Sequence, residues 1–311
     1  MPFITPLLPF AAGWSLLFFT ADLVQLGWVN GAAQLVLFAL VVCIPAWKTG
    51  RLSYVDIGWP LGLALIGVVT LALADGQPVR KLVISLVYLF IGLRMGLGAI
   101  KMWRNGYFQT EFPRYQYQRL RWERKGIKNI PLMIQIEALV QGLANASFLA
   151  FPAFLIASNK SDTLHALEVI GLLIWIGAFV MESVADMQKL AFLREMKRQN
   201  LKNQVCNVGL WRYSRHPNYF AEWMVWNALV IAAIPSWLAR SAQDGWVVWI
   251  LLGIGLLFVS RIMYYTLVHY TGARPAEYYS VQKRPEYRAY QETTNMFFPG
   301  PVKVAGGKGP E

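Results

Sequence analysis

Eight apolar stretches, each close to the length of a membrane-crossing helix, limit what this chain can fold into. They lie near residues 8–28, 30–47, 57–74, 82–100, 134–157, 165–184, 219–236 and 246–268. A transmembrane helix needs about 20 predominantly apolar residues, and these runs are too long for an ordinary soluble core. With 56% hydrophobic and 15% charged residues, the chain reads as all-α, a polytopic membrane helical bundle. Asp22 and Gln25 interrupt the first run, so seven spans stay as open as eight. No Lys or Arg precedes Lys48, so the basic flank of a cleaved signal peptide is missing and the first segment reads as retained.

The charge distribution follows these spans. With eight crossings, the connections at 48–56, 101–133 and 185–218 and the tail after 269 share one side and hold 23 of the 29 Lys and Arg residues. By the positive-inside rule that side is cytoplasmic. The net charge of +12 therefore reflects topology. Residues 101–130, basic with interleaved aromatics, have the composition of a single-strand nucleic-acid surface. The same composition suits a loop on anionic headgroups, and with no soluble domain in the chain the partners expected are membrane lipids, not nucleic acid. His165, His216 and His269 are scattered, and Cys43 and Cys206 lie in unlike settings, so neither a metal site nor a disulfide is expected.

One stretch concentrates chemistry. Gly209 to Glu222, GLWRYSRHPNYFAE, sets Arg212, Arg215, His216 and Asn218 at the mouth of an apolar run. Pro217 suits a first helical turn, and the residue before it is biased toward extended backbone. The free N–H groups and positive dipole end of that helix would face the two arginines, an anion site for which phosphate is the natural guest. Glu222 lies four residues after Asn218, on the same helical face. Upstream, Glu182 and Asp186 share a face at i, i+4 with Lys189 nearby, and Arg194 follows where the helix turns amphipathic. The carboxylates would suit ribose hydroxyls and the cations phosphates; an exposed Asp186–Lys189 ion pair is the competing reading. Downstream, Arg261, Tyr265 and His269 fall at i, i+4, i+8.

Three further positions carry polar chemistry. Asp56, in YVDIGW, opens the third run, where a helix N-terminus alone would favour a carboxylate. Arg94 lies deep in its run among glycines, too far from the interface for easy snorkelling. Glu137, Gln141 and Asn145 form a four-residue-spaced polar stripe, which must face either a neighbouring helix or a wet cavity. The expected organisation is one transmembrane domain over 1–299 and a disordered tail at 300–311.

The motif GLWRYSRHPNYFAE, the preceding ADMQKLAFLREMKRQN, the earlier YVDIGWP, QGLAN and FPRYQ, and the closing RPEYRAYQ together resemble the steroid 5α-reductase-like membrane family, in its mostly bacterial branch. The similarity covers about residues 50–300, and the loop-to-span motif is its specific part. It implies a cytoplasm-facing cavity holding NADPH, and hydride transfer to the C=C of an enone in a lipophilic, steroid-like or isoprenoid substrate. It gives cofactor roles to Asp186, Asn218, Glu222 and Arg261, with Tyr265 and His269 lining the pocket. The reading of the residues adds Glu182, Lys189, Arg194, Arg212, Arg215, His216 and Tyr219. Asp56 aligns loosely with an acidic residue that faces the substrate ketone; if it donates a proton there, burial must keep it protonated. Tyr54 and Arg94 are the alternatives for polarising the carbonyl.

Two departures stand out: Ala221 replaces a common glycine, and Glu182 stands where steroid reductases tend to have asparagine. The RHPNY wording also occurs in isoprenylcysteine carboxyl methyltransferases. An S-adenosylmethionine-dependent methyltransferase acting on a membrane lipid or prenyl group, and a non-catalytic lipid or cofactor sensor, therefore stand beside the reductase. The resemblance implies a bacterial inner membrane, and the positive-inside rule puts the basic loops and the C-terminus on its cytoplasmic side.

Overall fold

In the computed structural model, which describes residues 3–303, the regular secondary structure of the described residues is entirely helical. A short apolar helix, α1 (Leu8–Phe19), precedes α2 (Val24–Thr49), α3 (Val55–Leu73), α4 (Pro78–Arg104), the polar α5 (Pro113–Arg124), α6 (Ile130–Ala157), α7 (Ala166–Arg198), α8 (Pro217–Ala242) and α9 (Trp246–Tyr265). A π-turn at Thr266–Tyr270 leads from α9 into α10 (Ala273–Lys283), and α11 (Tyr287–Thr293) follows. The helices α2, α3, α4, α6, α7, α8 and the run beginning at Trp246 are long and apolar enough to cross a membrane. The chain is a multi-pass membrane protein.

The apolar run at 8–28 does not form one span. At 1.5 Å per residue α1 covers about 18 Å, short of a hydrocarbon core of about 30 Å. The break falls beside Asp22, whose two carboxylate oxygens each accept a 2.8 Å hydrogen bond from Arg240. Arg240 is buried and also pairs with Asp244 at 2.7 Å. Burial alone would push the Asp22 carboxyl up, but the Arg240 hydrogen bonds and charge hold it below its ordinary value.

The described residues divide into two compact units, Met1–Ile170 with Leu229–Val259, and Gly171–Ala228 with Ser260 onward. Small residues set the packing of the first unit. A Cβ added at Gly92 on α4 would lie 2.3 Å from the Ala64 backbone nitrogen and 2.5 Å from the Pro60 carbonyl oxygen on α3. Only a hydrogen fits there, and the two helices approach backbone to backbone. Polar groups between helices are used for pairing. Asn145 Nδ2 donates to Trp59 O at 3.0 Å, Asn30 Nδ2 to Asn145 O at 3.0 Å, and Gln34 Nε2 to Gly62 O at 2.8 Å. Asn145, one end of the polar stripe on α6, thus faces neighbouring helices, while Glu137 is buried and accepts from Gln141 at 2.9 Å.

The basic stretch after α4 is more ordered than a surface loop. Tyr115, Gln118 and Trp122, at i, i+3, i+7 along α5, are buried, and Trp122 packs in an apolar cluster with Phe38, Val42, Leu52 and Met133. Glu111 fastens the turn before α3, accepting from Leu52 N at 2.8 Å and Ser53 N at 3.0 Å.

Replacing Gly92 by alanine is expected to lower stability by about 1–3 kcal/mol, the usual cost of overpacking. Gly98 on the same helix has open space where a Cβ would go, so its alanine variant should be neutral or stabilising by up to about 1 kcal/mol. Thermal unfolding of both variants in one detergent checks this; equal effects would show that close approach of α3 and α4 is not what Gly92 provides.

Candidate functional site

The second unit is built around the end of α7. Asn200 adopts a left-handed conformation (φ 55°) just past the helix. Leu201 N bonds to Met196 O at 2.9 Å and Asn200 N to Lys197 O at 3.2 Å, the paired bonds of a Schellman cap with asparagine in the glycine position. Asn203 (φ 60°) turns the chain again, and residues 204–208 lead back to α7. There Gly209, at φ 54°, lies against Gln188: an added Cβ would sit 2.4 Å from that side chain. Leu210 N donates to Gln188 Oε1 at 2.8 Å, and Trp211 Nε1 to Ala185 O at 2.8 Å. The docked Trp211 ring carries the Lys189 ammonium 4.4 Å from its centroid, a cation–π contact.

The helix start expected at Pro217 is where α8 begins. The residues before it are held by the far end of the chain. Arg215 N bonds to Asn295 O at 2.9 Å, Ser214 Oγ to Phe297 O at 2.9 Å, and Gly300 N to Tyr213 O at 3.0 Å. Of the tail expected to be disordered, residues 300–303 are tied down in this way, Lys303 N bonding to Thr293 O at 2.8 Å; residues 304–311 lie outside the described residues. The Arg215 side chain is buried. Its Nε donates to Glu277 Oε1 at 2.7 Å, Nη2 to Glu277 Oε2 at 3.1 Å and Nη1 to Gln291 O at 3.0 Å, with a further bond to Thr294 O. His216 Nε2 lies 3.1 Å from Glu277 Oε1, and its ring stacks on Tyr219 at 5.3 Å.

These elements enclose a cavity of about 220 Å³ lined by Lys189, Cys206, Trp211, Asn218, Arg284 and Tyr287 among others. Every residue of its lining with a charged or titratable nitrogen is basic, and among the described residues no carboxylate lines it. Asn218 Nδ2 donates to Asp186 Oδ1 at 3.1 Å, while Asn218 Oδ1 is buried without a hydrogen-bond partner. Burial pushes the Tyr287 and Tyr290 hydroxyls well above the ordinary tyrosine value, so both stay protonated. The Tyr290 hydroxyl donates to Trp211 O. Burial likewise raises the Cys206 thiol, partly offset by the Lys189 charge. A second cavity of about 270 Å³ adjoins the first through Arg284 and is lined by Phe192, Leu193, Met196, Lys197, Leu201 and Lys202, with Asn200, Asn203 and Gln204.

The sequence-predicted cofactor residues are distributed unevenly. Lys189, Arg215, His216, Asn218 and Tyr219 line the first cavity, and Asp186 reaches it through Asn218. Arg215 does so with its hydrogen-bonding capacity directed at Glu277 and the tail, an arrangement that holds protein, not an open anion site. Asp186 bonds to Asn218, and Lys189 sits over Trp211. Glu182, Arg194, Arg212, Glu222, Arg261, Tyr265 and His269 belong to the same unit but to neither lining; Arg194, Arg212, Arg261 and Tyr265 are exposed, and His269 stacks beside Tyr265 at 5.7 Å.

Of the polarising candidates, all in the first unit, Asp56 is ion-paired to Arg114 and accepts the Tyr115 hydroxyl at 2.5 Å. Both its oxygens are thus occupied by protein partners. Tyr54 packs its ring 5.8 Å from Phe108, and Arg94 is partly buried. Residues that sequence reasoning passed over are Cys206, Ser280, Arg284, Tyr287, Tyr290 and Lys202, whereas Lys197 belongs to the basic end of α7 whose cations were read as phosphate contacts. The motif RPEYRAYQ was the available signal for Tyr287 and Tyr290.

Residues 42–294 match the family described as Protein of unknown function (DUF1295). An uncharacterised protein of Schizosaccharomyces pombe is 24% identical over 257 residues, 71% of this chain and 70% of that protein. No solved structure matches the chain significantly.

Burial lowers the His216 imidazole from its ordinary value of 6.5, outweighing the opposing pull of Glu277; Arg215 and Lys189 add to the lowering. Because the folded state holds this group neutral, the unfolded chain binds the extra proton as pH falls below about 6.5. His216 should therefore cost stability on acidification, with its contribution intact above that pH. Thermal unfolding between pH 7.5 and 5, roughly spanning that range, should show a shallower acid loss for His216→Gln than for the wild type; an unchanged slope would mean His216 does not titrate between the two states.

Proposed function

The chain belongs to the DUF1295 family of proteins of unknown function, and we propose that it is a membrane-embedded, NADPH-dependent reductase of a C=C bond conjugated to a ketone in a lipophilic substrate. The observation that carries this reading is the cavity beside α8, whose charged lining is wholly basic and in whose wall Asn218 keeps a buried carbonyl oxygen without a hydrogen-bond partner. Such a lining suits a ligand with several phosphates and a hydroxyl or amide donor. S-Adenosylmethionine, a sulfonium cation with a single carboxylate, matches it less well.

When bound, NADPH supplies the hydride that reduces the alkene. The residues present fit that cofactor by their donor set. Lys189 and Arg284 attract phosphate, and Lys189 is held in place on Trp211 so that little side-chain freedom is lost on binding. Asp186 fixes the Asn218 amide by taking its N–H, which leaves the carbonyl oxygen as acceptor. Tyr287 and Tyr290, protonated and aromatic, close the wall on the tail side. Arg215 and Glu277 hold that wall rather than the ligand.

Reduction of an enone also requires a group that stabilises the carbonyl oxygen as enolate charge develops. Tyr54 offers a hydroxyl donor and Arg94 a fixed cation, whereas Asp56 is committed to Arg114 and Tyr115. The roles of Glu222, Arg261, Tyr265 and His269 and the bacterial inner membrane rest on the family resemblance; that of Glu182 rests on its i, i+4 spacing with Asp186, and the cytoplasmic placing of the basic loops on the positive-inside rule.

The test is oxidation of NADPH by the detergent-purified chain with 3-oxo-4-ene steroids and shorter isoprenoid enones. Lys189→Met, which keeps the apolar stem and removes the charge, should raise KM for NADPH about tenfold, roughly 1.4 kcal/mol, with a smaller change in kcat. Absence of enone-dependent oxidation across this panel, together with no measurable NADPH binding, would refute the proposal.

A further inference from the structure

We propose that the cavity at the turn between α5 and α6 is a binding site for the headgroup of an anionic phospholipid, held there by Lys125 and Lys128. The inference is independent of the reductase reading, since this cavity belongs to the first unit and shares no residue with the basic cavity beside α8.

The cavity measures about 550 Å³, more than either cavity of the second unit, and is lined by Phe3, Lys125, Gly126, Ile127, Lys128 and Asn129. The length of α1 accounts for the space. That helix covers about 18 Å of a hydrocarbon core of about 30 Å, and Asp22, just beyond its far end, is pinned by Arg240. The shortfall therefore falls at the near end, where turns over residues 3–7 stand in place of a helix. Phe3 packs there on the apolar cluster that contains Trp122 and Met133.

Local backbone bonding holds the two lysines at the rim. Gly126 is left-handed (φ 74°), Ile127 N bonds to Trp122 O at 3.1 Å and Gly126 N to Glu123 O at 2.9 Å, a Schellman cap that ends α5. Ile127 and Ile130 pack on the same cluster, so Lys128 stands between two anchored residues. Both lysines are exposed, they are the only charged residues of the lining, and among the described residues neither is ion-paired. Glu123, the nearest carboxylate in sequence, lies outside the lining. Glu111 is taken up by Leu52 N, Ser53 N and Arg119. A lysine at a helix C-terminus is a favourable dipole partner in its own right, which accounts for Lys125 but not for Lys128 beyond the cap.

The occupant follows from what the site has and what it lacks. A free phosphate is held in water by directed donors, and the first turn of α6 has none to spare. Ile130 N bonds to Lys128 O at 3.2 Å, Leu132 N to Asn129 Oδ1 at 3.0 Å and Met133 N to Asn129 O at 3.1 Å, and Pro131 has no N–H. Two ammonium groups without such donors suit an anion whose attachment comes mainly from acyl chains. Apolar surface for those chains adjoins the lining in sequence, at the exposed Ile4, Leu8 and Leu132. The positive-inside rule puts this turn on the cytoplasmic face, where anionic lipids draw basic groups that flank a span.

The experiment uses the full-length chain in a neutral detergent, with dioleoylphosphatidylglycerol and dioleoylphosphatidylcholine as probes and native mass spectrometry to count the bound lipids. Lys125→Gln with Lys128→Gln removes the two charges of the cavity. Lys48→Gln with Lys101→Gln, two exposed lysines on connections of the same side but outside the lining, is the control. The wild type should bind its first phosphatidylglycerol about tenfold more tightly than phosphatidylcholine. K125Q/K128Q should lose that preference, the control should keep it, and excess inorganic phosphate should leave the bound phosphatidylglycerol in place.

Equal affinity of the wild type for the two lipids would overturn the site, as would a K125Q/K128Q variant that keeps the preference. An equal loss in the control would also overturn it, since the basic face would then act as a whole. So would displacement of phosphatidylglycerol by inorganic phosphate, because the lysines would then serve a soluble anion.

Discussion

The cavity of the second unit depends on one buried ion pair, Arg215 with Glu277. Taking two charges out of water costs several kcal/mol per ion, and here the cost is met by geometry. The guanidinium binds both oxygens of Glu277 and two tail carbonyls, and Glu277 also accepts from Gln291 at 2.7 Å. The pair ties the residues that lead into α8 to α10 and to the turn after α11. The walls that carry Lys189, Asn218, Arg284 and Tyr287 are held by this junction and by Trp211 docked on α7.

The first unit obeys a different constraint. Its helices associate where apolar burial gives little drive between them, so close packing and hydrogen bonding carry the contacts. Gly92 supplies the first by bringing α4 against the backbone of α3. Asn30, Gln34 and Asn145 supply the second with amide groups that bridge helices. At the sequence level the stripe on α6 left a neighbouring helix and a wet cavity open; in the fold Asn145 is a point of helix-to-helix contact.

The sequence made the helical, multi-pass architecture legible because a membrane span is a local property: about 20 apolar residues suffice to announce it. The start of α8 at Pro217 was legible for a similar reason, proline geometry. Pairing was not legible, because partners lie far apart in the chain. Arg215 reads as an anion contact when only its neighbours are visible, yet its partner Glu277 is 62 residues away. Asp56 reads as a candidate acid until Arg114, 58 residues on, is placed beside it. Asp22 reads only as an interruption of the first apolar run, and Arg240 is 218 residues distant. Lys202 stands in no motif, and Arg284 opens RPEYRAYQ without any local sign of its partners; only the fold brings both to one wall.

The central claim is that the basic cavity beside α8 is a site for an anionic dinucleotide. Calorimetric titration of NADPH and of S-adenosylmethionine into the purified chain, at low and at high ionic strength, tests it most directly. The account predicts saturable 1:1 binding of NADPH that weakens as salt rises, as expected for several charge-assisted contacts, and no comparable binding of S-adenosylmethionine. Tighter binding of S-adenosylmethionine, or NADPH affinity indifferent to salt and to loss of the Lys189 charge, would contradict it.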